Sequence, residues 1–388
     1  MHRNASRTSA YPFARPASQT PRFSSRRAGR TSPNMFSDQS ERKAPHAGWF
    51  FLVFIGLIIS LALYAAIDGN IVRVEQVQVP IPGMDSAFEG FTILHISDLH
   101  GKRFGAAQRQ LADALSRVRY DIVCISGDVT ATDGNAYAFY ELLDVLEPTR
   151  RPVFFVAGDD DPPALIGEPH YINDVLAEFI TGAQRKGAVY VDAPEQVIVN
   201  GKPLWIMPGA QLGLDMDNAE TQYRNQLRKD QASGNAQLPG IRARARLLTH
   251  QLDVLDRTRA ATAQMHPSDL RVALVHCPLR VDYIRTLQSA DGAETTGSAY
   301  ARVLDLVLAG HYNGGQVRLP FLGPIYVPGD DLPRGGWFPG DRRTQGLSQV
   351  SGIAQHISAG LGVSSAYNIH IRLFNAPKVT LLQLTASL

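Results

Sequence analysis

The stretch Phe91-Thr92-Ile93-Leu94-His95-Ile96-Ser97-Asp98-Leu99-His100 decides how the chain is read. Its first seven residues make a largely apolar run of strand length, as expected for a strand covered on both faces in a parallel sheet. The run releases a carboxylate and an imidazole two residues apart. In open α/β sheets the C-terminal ends of strands are where ligands bind. Taken alone, D-x-H is no more than a polar strand exit. The weight falls on how the later strands end.

They end alike. The run 121–126 leads into Gly127-Asp128, and 152–157 into Gly158-Asp159-Asp160-Asp161. Farther on, 270–275 leads into His276, and 303–309 into Gly310-His311-Tyr312-Asn313-Gly314-Gly315-Gln316. Amphipathic stretches at 106–119 and 135–146 separate the first three strands. Strand–helix–strand–helix–strand predicts an α/β fold with parallel strands and crossover helices. An alternating strand over 71–79 precedes them, closed by Pro80, Pro82 and Gly83. One more helix and short strands at 188–191, 196–199 and 204–207 follow. The Gly- and Pro-rich remainder holds strands near 355–358, 369–374 and 379–384.

Residues 215–266 differ in texture. They are polar and favour helix, and they read as two helices broken near Gly234 and Pro239-Gly240, an inserted hairpin with a solvated charged face. A lid or lipid-facing surface is the alternative. Cys124 and Cys277 lie in apolar runs and read as small buried hydrophobes, with a disulfide as the alternative outside the cytoplasm.

The N-terminal region sets the compartment. Residues 1–47 carry nine Arg/Lys and two acidic residues, a balance of +7, and few periodic apolar residues, so they read as a disordered basic tail. Residues 48–67 contain no charge and are about long enough to span a bilayer. Trp49 and Tyr64 suit the two interfaces. The basic residues before this segment predict a single-pass anchor with the N-terminus cytoplasmic and residues 68–388 extracytoplasmic. The long n-region and the lack of an A-x-A site argue against a cleaved signal peptide. The whole chain has net charge +2, which leaves −5 for residues 68–388. That balance carries no nucleic-acid signature.

Collected, the strand exits supply Asp98, His100, Asp128, Asp159, His276, His311 and Asn313. Carboxylate and imidazole donors together suit Mn, Fe or Zn. Two such ions bridged by one carboxylate can clamp a phosphoryl group for in-line displacement. The order D-x-H, G-D, G-D-D-D, H and G-H-Y-N-G-G-Q resembles the calcineurin-like metallophosphoesterases, whose pattern is D-x-H, G-D, G-N-H-[DE], H and G-H-x-H-G-G-Q. It is most similar to the membrane-anchored bacterial phosphodiesterases of that superfamily. The tail segments 356–362 and 371–377 resemble their final strands, and the resemblance covers about 88–388 apart from 215–266.

The resemblance implies a four-layer αββα sandwich with two divalent metal ions and a bridging hydroxide. By position, Asp98, His100, Asp128 and Asn313 would hold one ion. Asp128, Asp159, His276 and His311 would hold the other. Asp160 stands where the family has its catalytic histidine, Asp159 where it has asparagine, and Asn313 where it has histidine. His170 reads as a surface or structural residue, with substitution for the missing histidine as the alternative. The implied substrate is a phosphate ester, either a phosphodiester or a lipid-linked pyrophosphate. The substituted motifs leave a second reading open, a catalytically degenerate relative serving as a membrane-tethered binding or scaffold module. A dinucleotide-binding protein is set aside, because no G-x-G-x-x-G follows the first strand.

Overall fold

The computed structural model describes residues 47–167, 175–288, 304–328, 336–340, 343–364 and 369–386. The basic tail lies outside the described residues but for position 47, and so does His170. The chain divides into two compact units, 1–55 and 56–388. Helix α1, Ala47–Asp68, begins in the first and ends in the second. Its 22 residues rise about 33 Å, and its apolar side chains stand exposed all round. It is long and apolar enough to cross a membrane. Its C-terminal turn is tied to the second unit. Asp68 pairs with Arg73 at 2.5 Å, Lys102 donates to the Gly69 carbonyl, and the Tyr64 ring packs on Phe374.

Along the second unit come β1 (Arg73–Pro80), β2 (Thr92–Ile96), α2 (Arg109–Leu115), β3 (Ile122–Ser126), α3 (Tyr137–Leu146), β4 (Val153–Val156) and α4 (Glu178–Arg185). Next are β5 (Val189–Tyr190), β6 (Glu195–Val199), β7 (Lys202–Pro208), α5 (Met216–Ala232), α6 (Pro239–Thr262), β8 (Leu270–Leu274), α7 (Val281–Gln288) and β9 (Leu306–Ala309). The chain closes with β10 (Val317–Leu319), β11 (Gly323–Tyr326), β12 (Gly346–Val350), β13 (Ile353–Ile357) and β14 (Lys378–Thr385). The strands form two six-stranded sheets, β1-β14-β2-β3-β4-β5 and β12-β13-β9-β8-β7-β6, and a small β10–β11 hairpin.

Side-chain alternation builds the layers. On β2 and β3, Ile93, Ile122 and Cys124 face the second sheet, where Val272, Leu274, Leu306 and Leu308 meet them. Leu94, Ile96, Val123 and Ile125 point the other way, onto Leu111 of α2, Phe139 and Leu142 of α3 and Ile180 of α4. Ala273, Val307 and Ile353 cover the outer face of the second sheet with Ala261 of α6 and Ile284 of α7. The period of two in each strand therefore produces helix, sheet, sheet, helix, which is the four-layer architecture the resemblance implies.

The strands β2, β3 and β4 run parallel as the sequence predicts, and β5 extends them in the same direction. The sheets as a whole are mixed, because β14 lies antiparallel to β2, and β6 and β12 are antiparallel edges. The segment 369–374 is a correction to the sequence reading. It forms no strand and makes only the single bridge Val317–Leu373. Arg372 explains the irregular path, since its buried guanidinium donates to the carbonyls of Ala359, Gly362 and Asn375.

Between the sheets, His95 of β2 and His356 of β13 meet Nδ1 to Nδ1 at 2.8 Å, with no exposure to solvent beyond 1%. Burial drives both rings below the ordinary histidine value, His356 to about 3, where the Lys378 charge adds to the effect; for His95 a charge on His356 would oppose its own. Such rings stay neutral in the folded chain and take protons only on unfolding. Their stabilising contribution is therefore complete above pH 6.5 and is lost as pH falls below it, for His356 down to about 3. Denaturant unfolding of the full chain should show a stability loss of up to about 1.4 kcal/mol per pH unit for each ring in that window, shallower in His356→Asn.

Candidate metal centre

The C-terminal ends of β2, β3, β4, β8 and β9 converge where the two sheets face each other. Six of the seven sequence-derived ligands fall there into two groups. Asp98, His100 and Asp128 form one group, and Asp159, His276 and His311 form the other, joined by Cys277. Within each group the donor atoms lie within 4.8 Å of one another. The carboxylate oxygen Oδ2 of Asp128 links them, 3.6 Å from His100 Nε2 and 3.2 Å from His276 Nε2. Asp159 Oδ1 stands 2.6 Å from His276 Nε2 and 3.2 Å from His311 Nδ1.

Local backbone makes this convergence. Asp98, His100, Asp128, His311 and Asn313 all adopt left-handed conformations, with φ between 47° and 75°. Such conformations are uncommon away from glycine and are held in place by surrounding contacts. Here the holds are visible. The Asp98 amide donates to the Gly127 carbonyl and the His100 amide to the Asp128 carbonyl. The His311 amide donates to Asp98 Oδ1 at 2.8 Å, and the Asp160 amide to Asp128 Oδ1 at 2.9 Å. Gly158 is required by space, since a Cβ there would sit 2.0 Å from Asp128 Oδ1. The glycines thus make room for the carboxylates themselves.

Outer partners fix the rings. His276 Nδ1 lies 2.8 Å from the Ser126 carbonyl, so it carries the proton and leaves Nε2 facing Asp128 and Asp159. His100 Nδ1 faces Asp160 Oδ2 at 3.6 Å. A histidine whose second nitrogen meets a carbonyl or carboxylate is the arrangement that prepares a metal ligand. Two buried polar atoms have no hydrogen-bond partner among the described residues, His100 Nε2 and Asn313 Oδ1, while His276 Nε2 meets only carboxylate oxygens. Buried polar atoms are rarely left so. Imidazole nitrogens aimed at the Asp128 and Asp159 carboxylates are a donor set that a divalent cation satisfies, and the residues present therefore fit a metal.

Residues 91–313 match the calcineurin-like phosphoesterase family, more than half of the chain. The chain belongs to that family. It is also 31% identical over 84 residues to the uncharacterized metallophosphoesterase YkuE of Bacillus subtilis (strain 168), a match covering 22% of this chain and 25% of that protein. The aligned segment thus spans about a quarter of the curated relative. Among solved structures it is similar to the phosphopantetheinyl hydrolase PptH of Mycobacterium tuberculosis, at 17% identity and TM-score 0.33, over 71% of this chain and 91% of that one. Calcineurin-like phosphoesterases use divalent metals, and the two groups of side chains are candidate ligands for them.

The electrostatics fit the same conclusion. Burial raises the Asp128 carboxyl above its ordinary value, and the charge of Asp98 adds to this against the pull of His276 and His100. Burial also opposes charge on Asp159, but hydrogen bonds from His276 and His311 outweigh it and hold that carboxyl well below the carboxylate range. The rings respond in kind. Burial disfavours their charge, yet the contacts with Asp128 and Asp159 raise His276 well above the usual value, and those with Asp159 and Cys277 raise His311 to about 10. Without a cation, protons on histidines balance the carboxylates.

Three residues near the centre were missed or misread from sequence. Cys277 is exposed and stands at ligand distance from His276 and His311, because it follows the last residue of the β8 exit, where the apolar run has ended. Its residue type at a strand exit was the available signal. Asp161, which the sequence places in a crowded acidic run, is turned away from that crowd. It accepts from the amides of Val129, Thr130 and Gly158 and from the Thr130 hydroxyl, clamping the Asp128 and Asp159 loops together. Asn375 donates to the Asn313 carbonyl at 2.7 Å and supports the histidine loop. It is 62 residues away, so no local pattern reveals it.

A cation entering this centre must displace the protons that the carboxylates hold on His276 and His311. Calorimetric titration of the full chain with Mn or Zn in buffers of different ionisation enthalpy should show proton release. Affinity should rise with pH from 6 toward the His311 value of about 10. Proton-neutral binding over that range would contradict this electrostatic account.

Proposed function

We propose that the chain is a membrane-anchored, metal-dependent phosphoesterase that hydrolyses a phosphodiester or a lipid-linked pyrophosphate outside the cytoplasm. The observation that carries this reading is the position of Asp128 Oδ2 between His100 Nε2 and His276 Nε2. One carboxylate oxygen facing two donor groups is what a dinuclear site requires. On this reading Asp98, His100, Asp128 and Asn313 would hold one ion, and Asp128, Asp159, His276 and His311 would hold the other. Divalent ions held by these residues would supply Lewis-acid chemistry toward a phosphoryl group and its attacking water.

The remaining work falls to the chain's own atoms. Ser126 O keeps the His276 proton on Nδ1, so that Nε2 stays available. Asp160 Oδ2 faces His100 Nδ1 from 3.6 Å, beyond hydrogen-bond distance, at the place where the family has its catalytic histidine. Asp98 Oδ1, held by the His311 amide, sets the spacing between the first group and the histidine loop. The substitutions Asn313 and Asp160 favour a second reading, a degenerate binding module. An amide oxygen is a weaker donor than imidazole, and a carboxylate beside the phosphoryl site repels an anion.

Two outcomes test the choice. Asp128→Asn in the full chain should lose both metal, by elemental analysis, and hydrolysis of bis-p-nitrophenyl phosphate with added Mn. The loss should exceed the roughly 10–100-fold that removal of an outer partner costs. Asn313→His should raise metal content and rate. Metal-free protein with no turnover would support the binding module. For topology, protease treatment of sealed, inside-out membrane vesicles should remove residues 1–47 and spare the C-terminal domain. Digestion of that domain would reverse the orientation.

A further inference from the structure

A cavity of about 530 Å3 opens beside the candidate metal centre. It shares a wall with it, since His276 and Cys277 line both. Val156 and Ala157, immediately before Gly158-Asp159, line it as well. Its floor is formed by strand exits, with Val191 after β5 and Pro208 at the end of β7. Its roof is the helical pair over 216–262, through Tyr223 of α5 and Val254 and Leu255 of α6. Leu165 and Leu214 close the sides. Its size is that of a small-molecule site.

The lining is mainly apolar, and Asp192 and Gln211 on it are already paired. Asp192 receives both terminal nitrogens of Arg257, at 2.9 and 3.1 Å, and faces His250 Nε2 at 3.3 Å. Gln211 donates to the Asp192 carbonyl and accepts from Thr258. These groups spend their hydrogen bonds on one another, and most of the remaining wall is aliphatic. The roof is also preformed. Arg244 grips Asp230 with two hydrogen bonds, and Arg259 reaches Glu220 and Asp217, locking α5 to α6. The Arg257–Asp192 pair fastens α6 to the exit of β5.

We propose that this cavity is the subsite for the apolar alcohol moiety of the substrate, so that the chain acts on an amphiphilic phosphoester. The phosphate lies at Asp128 and the hydrocarbon under α5 and α6. The inference rests on the phosphoesterase reading and adds a substrate class to it. Two features select an apolar occupant. Burying carbon against Val191, Leu214 and Val254 is favourable by area, and the one carboxylate on the wall, Asp192, is already paired with Arg257 and His250. The cavity also joins the metal centre through His276 itself, so one molecule can occupy both.

The test uses the full chain in lipid nanodiscs with Mn and a series of alkyl p-nitrophenyl phosphates from methyl to hexyl. Water adds to phosphorus, the P–O bond to nitrophenol breaks, and nitrophenolate leaves while the alkyl phosphate remains. The expected result is a kcat/KM that rises roughly two- to fourfold per methylene. Binding of the nonhydrolysable methyl to hexyl phosphonates should tighten in parallel. Val254→Trp, which fills the roof, should flatten both trends without changing how the esters partition into the nanodisc. Leu214→Ala, which removes a wall, should reduce them and serves where the tryptophan variant does not fold. Equal rates and equal affinities across the series in the unsubstituted chain would overturn the proposal. Graded phosphonate binding with no turnover of any ester would uphold the subsite and overturn the phosphoesterase reading instead. A hexadecyl ester carried in the nanodisc separates the sources: turnover points to a membrane lipid, and turnover of the short esters alone points to a soluble amphiphile.

Discussion

The structure depends on placing the Asp128 carboxylate, 2% exposed, between two sheets that belong to different parts of the chain. A buried carboxylate is costly unless its oxygens are satisfied. Oδ1 accepts the Asp160 amide, and Oδ2 faces His100 and His276. Those three contacts tie the exits of β2, β3, β4 and β8 into one point. The left-handed backbone at Asp98, His100 and Asp128, the missing side chain at Gly158 and the Asp161 clamp all follow from the need to bring that oxygen there. Strain concentrated at a few strand exits and held by their neighbours is what a preformed ligand site requires.

Behind the centre, the two sheets are joined by a contact of another kind. Ser126 receives His276 on its carbonyl and His95 on its hydroxyl, and His95 in turn meets His356. A chain of polar contacts therefore runs from the candidate metal centre to the middle of the sandwich. Fully paired polar networks in a dry interior rigidify what they join. The ring orientation of His276 is consequently set from both sheets.

On the other side of His276 the surroundings turn apolar. The helical pair α5 and α6 is polar along most of its length, as its composition predicts, yet it presents Tyr223, Val254 and Leu255 to the cavity. Charged pairs hold the two helices to each other and to the strand exits, and leave their few apolar side chains to shape the space beside the metal centre. The same hairpin that reads from sequence as a solvated insertion is thus the roof of a compartment.

The sequence by itself determined the strand exits and their ligand-bearing residues, because period-two patterning and the D-x-H, G-D and G-H motifs are local. It likewise determined the apolar N-terminal helix, since length and lack of charge are enough. The tertiary structure alone decided that Cys277 belongs with the histidines, that Asp161 is a clamp, that 369–374 is no strand, and that the polar hairpin encloses an apolar cavity. Each of these rests on partners that packing brings together from distant positions. The His95–His356 pair spans 261 residues and the Asn375–Asn313 bond 62. No residue type or spacing at one end specifies the other, because the contact exists only once both sheets have closed over the same core.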